Sequence, residues 1–267
     1  MSKTKTEHIL SALDSRHYKI GYTPPPEEII FRIESSTIGT LGNFVTFSGL
    51  AKAGKSTFLS STIASCFHQY QNLYGIQLRP LTARNRVCYF DTESGETDFY
   101  RQLDRIKKQA QINNLPYNFN AFAVREDSPD IIREYIEAYL QLYPDCSVLI
   151  VDGLLDILNN FNDEIESKKT IQWLKRITKI YNILLIGVIH LARRESQLLG
   201  HFGSMLERYS QSVLEVSKDF ESGIIVLKPK LMRSDKDFTP IALNWTADGF
   251  EKCLPPAPPE MKKAARK

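Results

Sequence analysis

The stretch that most constrains this chain is Phe44 to Ser60, FVTFSGLAKAGKSTFLS. Phe44 to Ser48 reads as a buried strand. Gly49, Leu50, Ala51, Lys52, Ala53, Gly54, Lys55 and Ser56 follow as a loop, and Thr57 enters an amphipathic helix. Strand, GxxxxGK[ST] loop and helix in this order make the Walker A arrangement. The glycines let successive backbone N–H groups turn inward around phosphate oxygens, and the helix N-terminus adds partial positive charge at the same point. Lys55 is expected to reach the β and γ phosphates of ATP, Ser56 to ligate Mg2+, and Lys52 to be a solvated loop residue.

Composition adds bounds rather than identity. A chain of 267 residues suits one large α/β domain or two small ones. A formal net charge of +3 is too slight to call for nucleic acid by itself, so any basic surface must be local. Cys66, Cys88, Cys146 and Cys253 show no metal-ligand spacing, which points to a reducing, cytoplasmic setting. No apolar run resembles a signal or approaches a membrane span, so no membrane partner is expected.

Along the chain, residues 1–28 read as a polar N-terminal arm with a short helix at Glu7 to Leu13 and a Pro24-Pro25-Pro26 lead-in. Such an arm either docks on a neighbouring subunit or is a flexible terminus. Ile29 to Ile33 is expected as an edge strand, followed by a loop from Ser35 to Asn43. Apolar runs at Val87 to Phe90, Asn118 to Val124, Val148 to Val151 and Ile183 to Ile189 alternate with helical periodicity, the signature of a parallel sheet covered on both faces. Arg101, Arg105, Lys107 and Lys108 lie around one of those helices and read as a solvated face. Past His190 the pattern changes to a polar loop, a helix from Gly203 to Ser212, and three strands suited to antiparallel addition at the sheet edge. Residues 29–250 are therefore expected as one ATPase domain and 251–267 as a disordered Pro- and Lys-rich tail.

Ligands of open parallel sheets sit outside the carboxyl ends of the strands. Three polar residues stand at such ends: Glu93, Asp152 and His190. Asp152 after VLIV has the Walker B pattern and would hold Mg2+ with Ser56. Glu93 is expected to end the strand next to the phosphate-loop strand and to polarise the attacking water, with Asp91 and Glu96 as competitors. His190 closes an apolar strand, where it can contact a γ-phosphate and relay its loss to the following loop.

The order Walker A, YFDTE, LIVDG, GVIH resembles the RecA-like ATPases. Within them it is most similar to the RepA-type hexameric replicative helicases, with His where recombinases carry Gln. Pro24-Pro25-Pro26, GHFGSMLERYSQSV and KLMRSDKDFTPIALNW look like ATPases of plasmids and mobile elements. The resemblance implies a RecA-like α/β fold with a mostly parallel central sheet, helices on both faces and antiparallel C-terminal edge strands. It also implies Mg2+-dependent ATP hydrolysis in a homo-oligomeric ring, translocating on single-stranded DNA. Residues 153–168 and 191–202 would then be DNA-facing loops, the second contacting phosphates through Arg193 and Arg194. The first is acidic (Asp156, Asp163, Glu164, Glu166), which is unlike a DNA channel lining. Lys230 and Arg233 would act as catalytic fingers in a neighbouring subunit's site. The alternative is a regulatory or scaffolding ATPase that assembles under nucleotide control without unwinding. A nucleotide kinase is disfavoured because no Arg-rich lid follows Asp152.

Overall fold

The computed structural model describes residues 4–14, 16–191, 198–246 and 249–256. A nine-stranded sheet has the order β12-β11-β10-β9-β3-β8-β7-β5-β6. Its parallel members are β3 (Phe44–Gly49), β5 (Arg86–Asp91), β6 (Phe119–Ala123), β7 (Cys146–Asp152), β8 (Leu184–His190) and β9 (Ser212–Lys218). β10 (Ile225–Met232), β11 (Ile241–Thr246) and β12 (Gly249–Cys253) continue it antiparallel. Every residue of β3 and β7 is buried, as their uninterrupted apolar runs require of strands covered on both faces. The architecture is the expected RecA-like one.

Helices cover both faces. On one, α2 (Lys55–Phe67) and α3 (Glu96–Ala110) pack Phe58, Leu59, Ile63, Phe99 and Ile106 onto Val45, Phe47, Tyr89 and Ile150. On the other, α4 (Pro129–Leu142), α5 (Glu164–Ile180) and α6 (Gly200–Tyr209) bury Ile136, Leu174, Ile177 and Phe202 against Phe90, Leu149 and Leu185. Before them α1 (Lys5–Asp14) stands out from the body with no residue buried. Among the described residues, no helix is long and apolar enough to cross a membrane.

Five sequence expectations change. β1 (Ile29–Ile33) is the centre of a separate three-stranded sheet, β2-β1-β4, rather than an edge of the main one. The expected loop contains β2 (Ser36–Thr40), whose polar side chains are all buried, and β4 (Ile76–Leu78) completes that sheet. Gln211 makes β2 tolerable inside, accepting from the Thr40 N–H at 2.9 Å. β9 is parallel to β3, so the antiparallel additions begin one strand later than expected. The helix after His190 spans 200–209, three residues earlier than expected at each end. Finally, Glu251, Lys252 and Cys253 pair with β11, so the expected tail begins inside β12; residues 257–267 lie outside the described residues.

Candidate active site

The site is built where β3 ends. Gly49 must be glycine: a Cβ there would stand 2.4 Å from the Val216 carbonyl oxygen of β9. Lys52 (φ 63°) and Gly54 (φ 93°) take left-handed conformations, which curl the loop back over itself. Gly54 caps α2 without a side-chain hydrogen bond, leaving the helix N-terminus to an anion. Lys52 and Ser56 are exposed, whereas Ala53, Lys55 and Thr57 are buried. A phosphate chain fits this cradle.

Lys55 is held over the loop. Its Nζ donates to the Gly49 carbonyl at 3.2 Å, to the Leu50 carbonyl at 3.0 Å, and to His190 Nδ1 at 3.0 Å. An ammonium only donates, so Nδ1 must accept, and His190 carries its ring proton on Nε2. Nε2 lies 3.0 Å from Glu93 Oε1, completing a chain Lys55–His190–Glu93 in which each donor meets an acceptor. Burial lowers the Lys55 pKa, opposed by Glu93 and Asp152. The hydrogen bond from His190 holds Glu93 below its ordinary value.

The strand order corrects one premise. β5 is not beside β3; β8 and β7 stand between them. Glu93 nevertheless arrives, because His190 is in register with Gly49 on one side and the Thr92 turn reaches across β7 on the other. The competitors are differently employed. Asp91 is buried and accepts the Glu93 and Ser94 N–H groups at 3.1 and 2.8 Å, capping the turn, while Glu96 is exposed in the first turn of α3.

Asp152 faces Asp91 in register across β7 and β5. Between them sits the Tyr89 hydroxyl, 2.9 Å from Asp91 Oδ2 and 3.3 Å from Asp152 Oδ2. Burial, together with the Asp91 and Glu93 charges, pushes Asp152 up to about 7. A buried carboxylate stressed by two like charges, and close enough to Lys55 of the phosphate cradle to feel its charge, is a hard oxygen donor suited to Mg2+. Among the described residues no three His, Cys, Asp or Glu side chains form a metal cluster, so such a cation depends on phosphate oxygens as well.

Sequence reasoning missed three participants. Tyr89 is one. Thr92 is the second: its Oγ1 lies 2.7 Å from Asp156 Oδ2 and also contacts the Asp152 and Gly153 carbonyls. Arg125 is the third, lining with Glu93, Asp127 and Asp156 a cleft of 430 Å3; its place just past β6 is the strand-end signal that could have found it.

The acidic loop after Asp152 has a local explanation. Asp163 caps α5 by accepting the Glu166 N–H at 2.7 Å, and Glu166 accepts the Asn159 and Asn160 N–H groups at 2.8 and 2.9 Å. With Asp156 bound to Thr92, three of the four carboxylates fold the loop itself. The next loop starts at the site: Leu191 N–H donates to the Gly49 carbonyl at 3.0 Å, and Leu191 pairs with Leu198. Arg193 and Arg194 lie outside the described residues.

Lys230 and Arg233 are not in this site. Leu227 pairs with Val216 at the level of Gly49, whereas Met232 pairs with Ser212 level with Val45, so Lys230 sits beside the middle of β3 and Arg233 beyond its amino end. Lys230 pairs with Glu207, and Arg233 donates to the Arg208 carbonyl at the end of α6.

None of the curated proteins compared with the chain matches it. A family model described as an AAA domain matches residues 35–196, more than half of the chain, and takes in the phosphate loop, Glu93, Asp152 and His190. On that match and this fold, the chain belongs to the AAA domain family, and it is a P-loop ATPase.

Proposed function

We propose that the chain hydrolyses ATP with Mg2+ as part of a homo-oligomeric motor on single-stranded DNA, in the manner of RepA-type helicases of plasmids and mobile elements. The observation that carries this reading is the chain Lys55–His190–Glu93 standing directly before Leu191, whose N–H donates to the Gly49 carbonyl. Gly49 to Thr57 would cradle the phosphates and Lys55 neutralise them. Ser56 and Asp152 would hold Mg2+, which supplies charge neutralisation at the β and γ oxygens. Glu93 would orient and deprotonate the attacking water.

His190 then acts as the reporter. A γ-phosphate competing for Lys55 removes the donor from His190 Nδ1, and the ring's pull on Glu93 and on the backbone of Leu191 changes with it. Arg193 and Arg194, in the loop that follows, would contact DNA phosphates. Lys230 and Arg233, remote from their own site, would reach into a neighbour's. Self-association is supported by the exposed Ile9, Leu10 and Leu13 of α1 and by an open 710 Å3 groove lined by Phe99, Tyr100, Phe122, Tyr135 and Tyr139.

That exposed apolar arm also favours a second reading, in which hydrolysis controls assembly and no strand is moved. Measuring ATP turnover with and without single-stranded DNA separates the two. Salt-sensitive stimulation supports the motor; unaltered turnover with intact oligomers supports the switch.

A further inference from the structure

A second concavity, which shares no lining residue with the phosphate loop, has the chemistry of a strand-binding groove. One wall is α3, where Arg101, Arg105 and Lys108 recur at intervals of four and three and so share a face, turned away from the buried Phe99, Gln102 and Ile106. The opposite wall is the hairpin of β11 and β12. There Trp245 and Phe250 are direct cross-strand partners with ring centroids 4.7 Å apart, and Trp245 is 64% exposed. Tyr74 at the floor fixes the hairpin, its hydroxyl donating to the Phe250 carbonyl at 2.7 Å. The space enclosed is 560 Å3, within the range of pockets that enclose small ligands. Among the described residues one acid lines it, Asp104, and Lys107 neutralises that carboxylate at 2.6 Å.

An exposed, braced indole has little reason to face a row of cations unless the occupant carries both a π-face and negative charge. We infer that this groove binds a short segment of single-stranded nucleic acid, a base stacking on Trp245 while Arg101 and Lys108 hold the flanking phosphates. The inference rests on the reading that the chain's partner is single-stranded DNA, and it adds a contact outside the two loops assigned to that role. Arg105, which also donates to Gln102 Oε1 at 3.0 Å, sits deeper and would shape the floor.

The test is anisotropy of a labelled oligothymidylate titrated with the full chain across a salt series, for the unaltered protein and for Arg101→Ala/Lys108→Ala. The Arg101 pair with Asp98 is exposed, so the double substitution leaves the fold and basal ATP turnover intact. Affinity is expected to fall about tenfold or more, and the slope of log K against log salt to drop by about 1.4, at about 0.7 per phosphate on a single strand. Trp173→Phe leaves Trp245 as the sole indole of the two in the sequence, and its fluorescence should be quenched by the oligonucleotide. Mononucleotides should quench weakly; equal affinity for mononucleotide and strand would mean a nucleotide pocket and overturn the inference. Unchanged affinity and slope in the double variant overturn it while leaving the motor reading standing. A change of oligomeric state without a change in strand affinity marks the groove as a subunit interface and overturns it too. If the unaltered chain binds no strand at all, both readings fall.

Discussion

At the scale of single residues, the site is a contest for one ammonium. Lys55 is buried and bound to two carbonyls and His190, so phosphate must displace at least one of these partners. Lys55→Ala should abolish measurable ATP hydrolysis in a coupled phosphate-release assay; retained turnover would remove Lys55 from catalysis. Glu93→Gln keeps the contact with His190 but loses the base, and turnover should fall roughly 10²–10⁴-fold with nucleotide binding preserved in a filter or fluorescence assay. Asp152 makes a prediction of opposite sign. Its pKa is raised to about 7, so the folded state favours the protonated form; that stabilisation is present at acid pH and is lost as pH rises through about 7. Asp152→Asn should therefore raise the melting temperature of the nucleotide-free protein at pH 8, relative to its effect at pH 5, while abolishing Mg-dependent turnover. A lower melting temperature at both pH values would show that the carboxylate is not under stress.

At the scale of elements, the parts legible in the sequence were those whose side chains had to be apolar on both faces. β3, β7 and β8 are buried throughout or nearly so, and their carboxyl ends therefore announced Gly49, Asp152 and His190. β2 was illegible because Ser36, Thr37 and Thr40 are buried by hydrogen bonding and tight packing rather than by hydrophobicity. Strand order was illegible as well, since periodicity says nothing about which crossover lands where, and Glu93 reaches His190 from two strands beyond β8. The junction of β7 with the next loop is the tightest of these elements. Gly153 has φ 112°, and a Cβ there would lie 2.0 Å from Thr92 Oγ1 and 2.7 Å from Asp156 Oδ2. Gly153→Ala should destabilise the protein by about 2 kcal/mol or more in urea unfolding, because both the backbone and the Thr92–Asp156 bond must shift. Near-wild-type stability would mean that this junction is looser than its contacts imply.

At the scale of the molecule, one chain offers a phosphate cradle at the carboxyl end of β3, while Lys230 lies level with the middle of that strand and Arg233 beyond its amino end. Both cations are bound within their own chain, Lys230 to Glu207 and Arg233 to the Arg208 carbonyl, so the proposed finger role in a neighbour's site requires these contacts to be exchanged. Mixing Arg233→Ala with Lys55→Ala protein should restore part of the lost turnover, since some interfaces then pair an intact cradle with an intact finger. Mixed oligomers that form but stay inactive would count against a finger in trans. The proposed relay through His190 asks for a more direct trial. That trial is the ratio of ATP turnover with single-stranded DNA to turnover without it, compared between the unaltered chain and His190→Ala. The account predicts clear stimulation of the unaltered chain, and a ratio near one for His190→Ala despite surviving basal turnover. Equal stimulation of both proteins, or none in the unaltered chain, would contradict it.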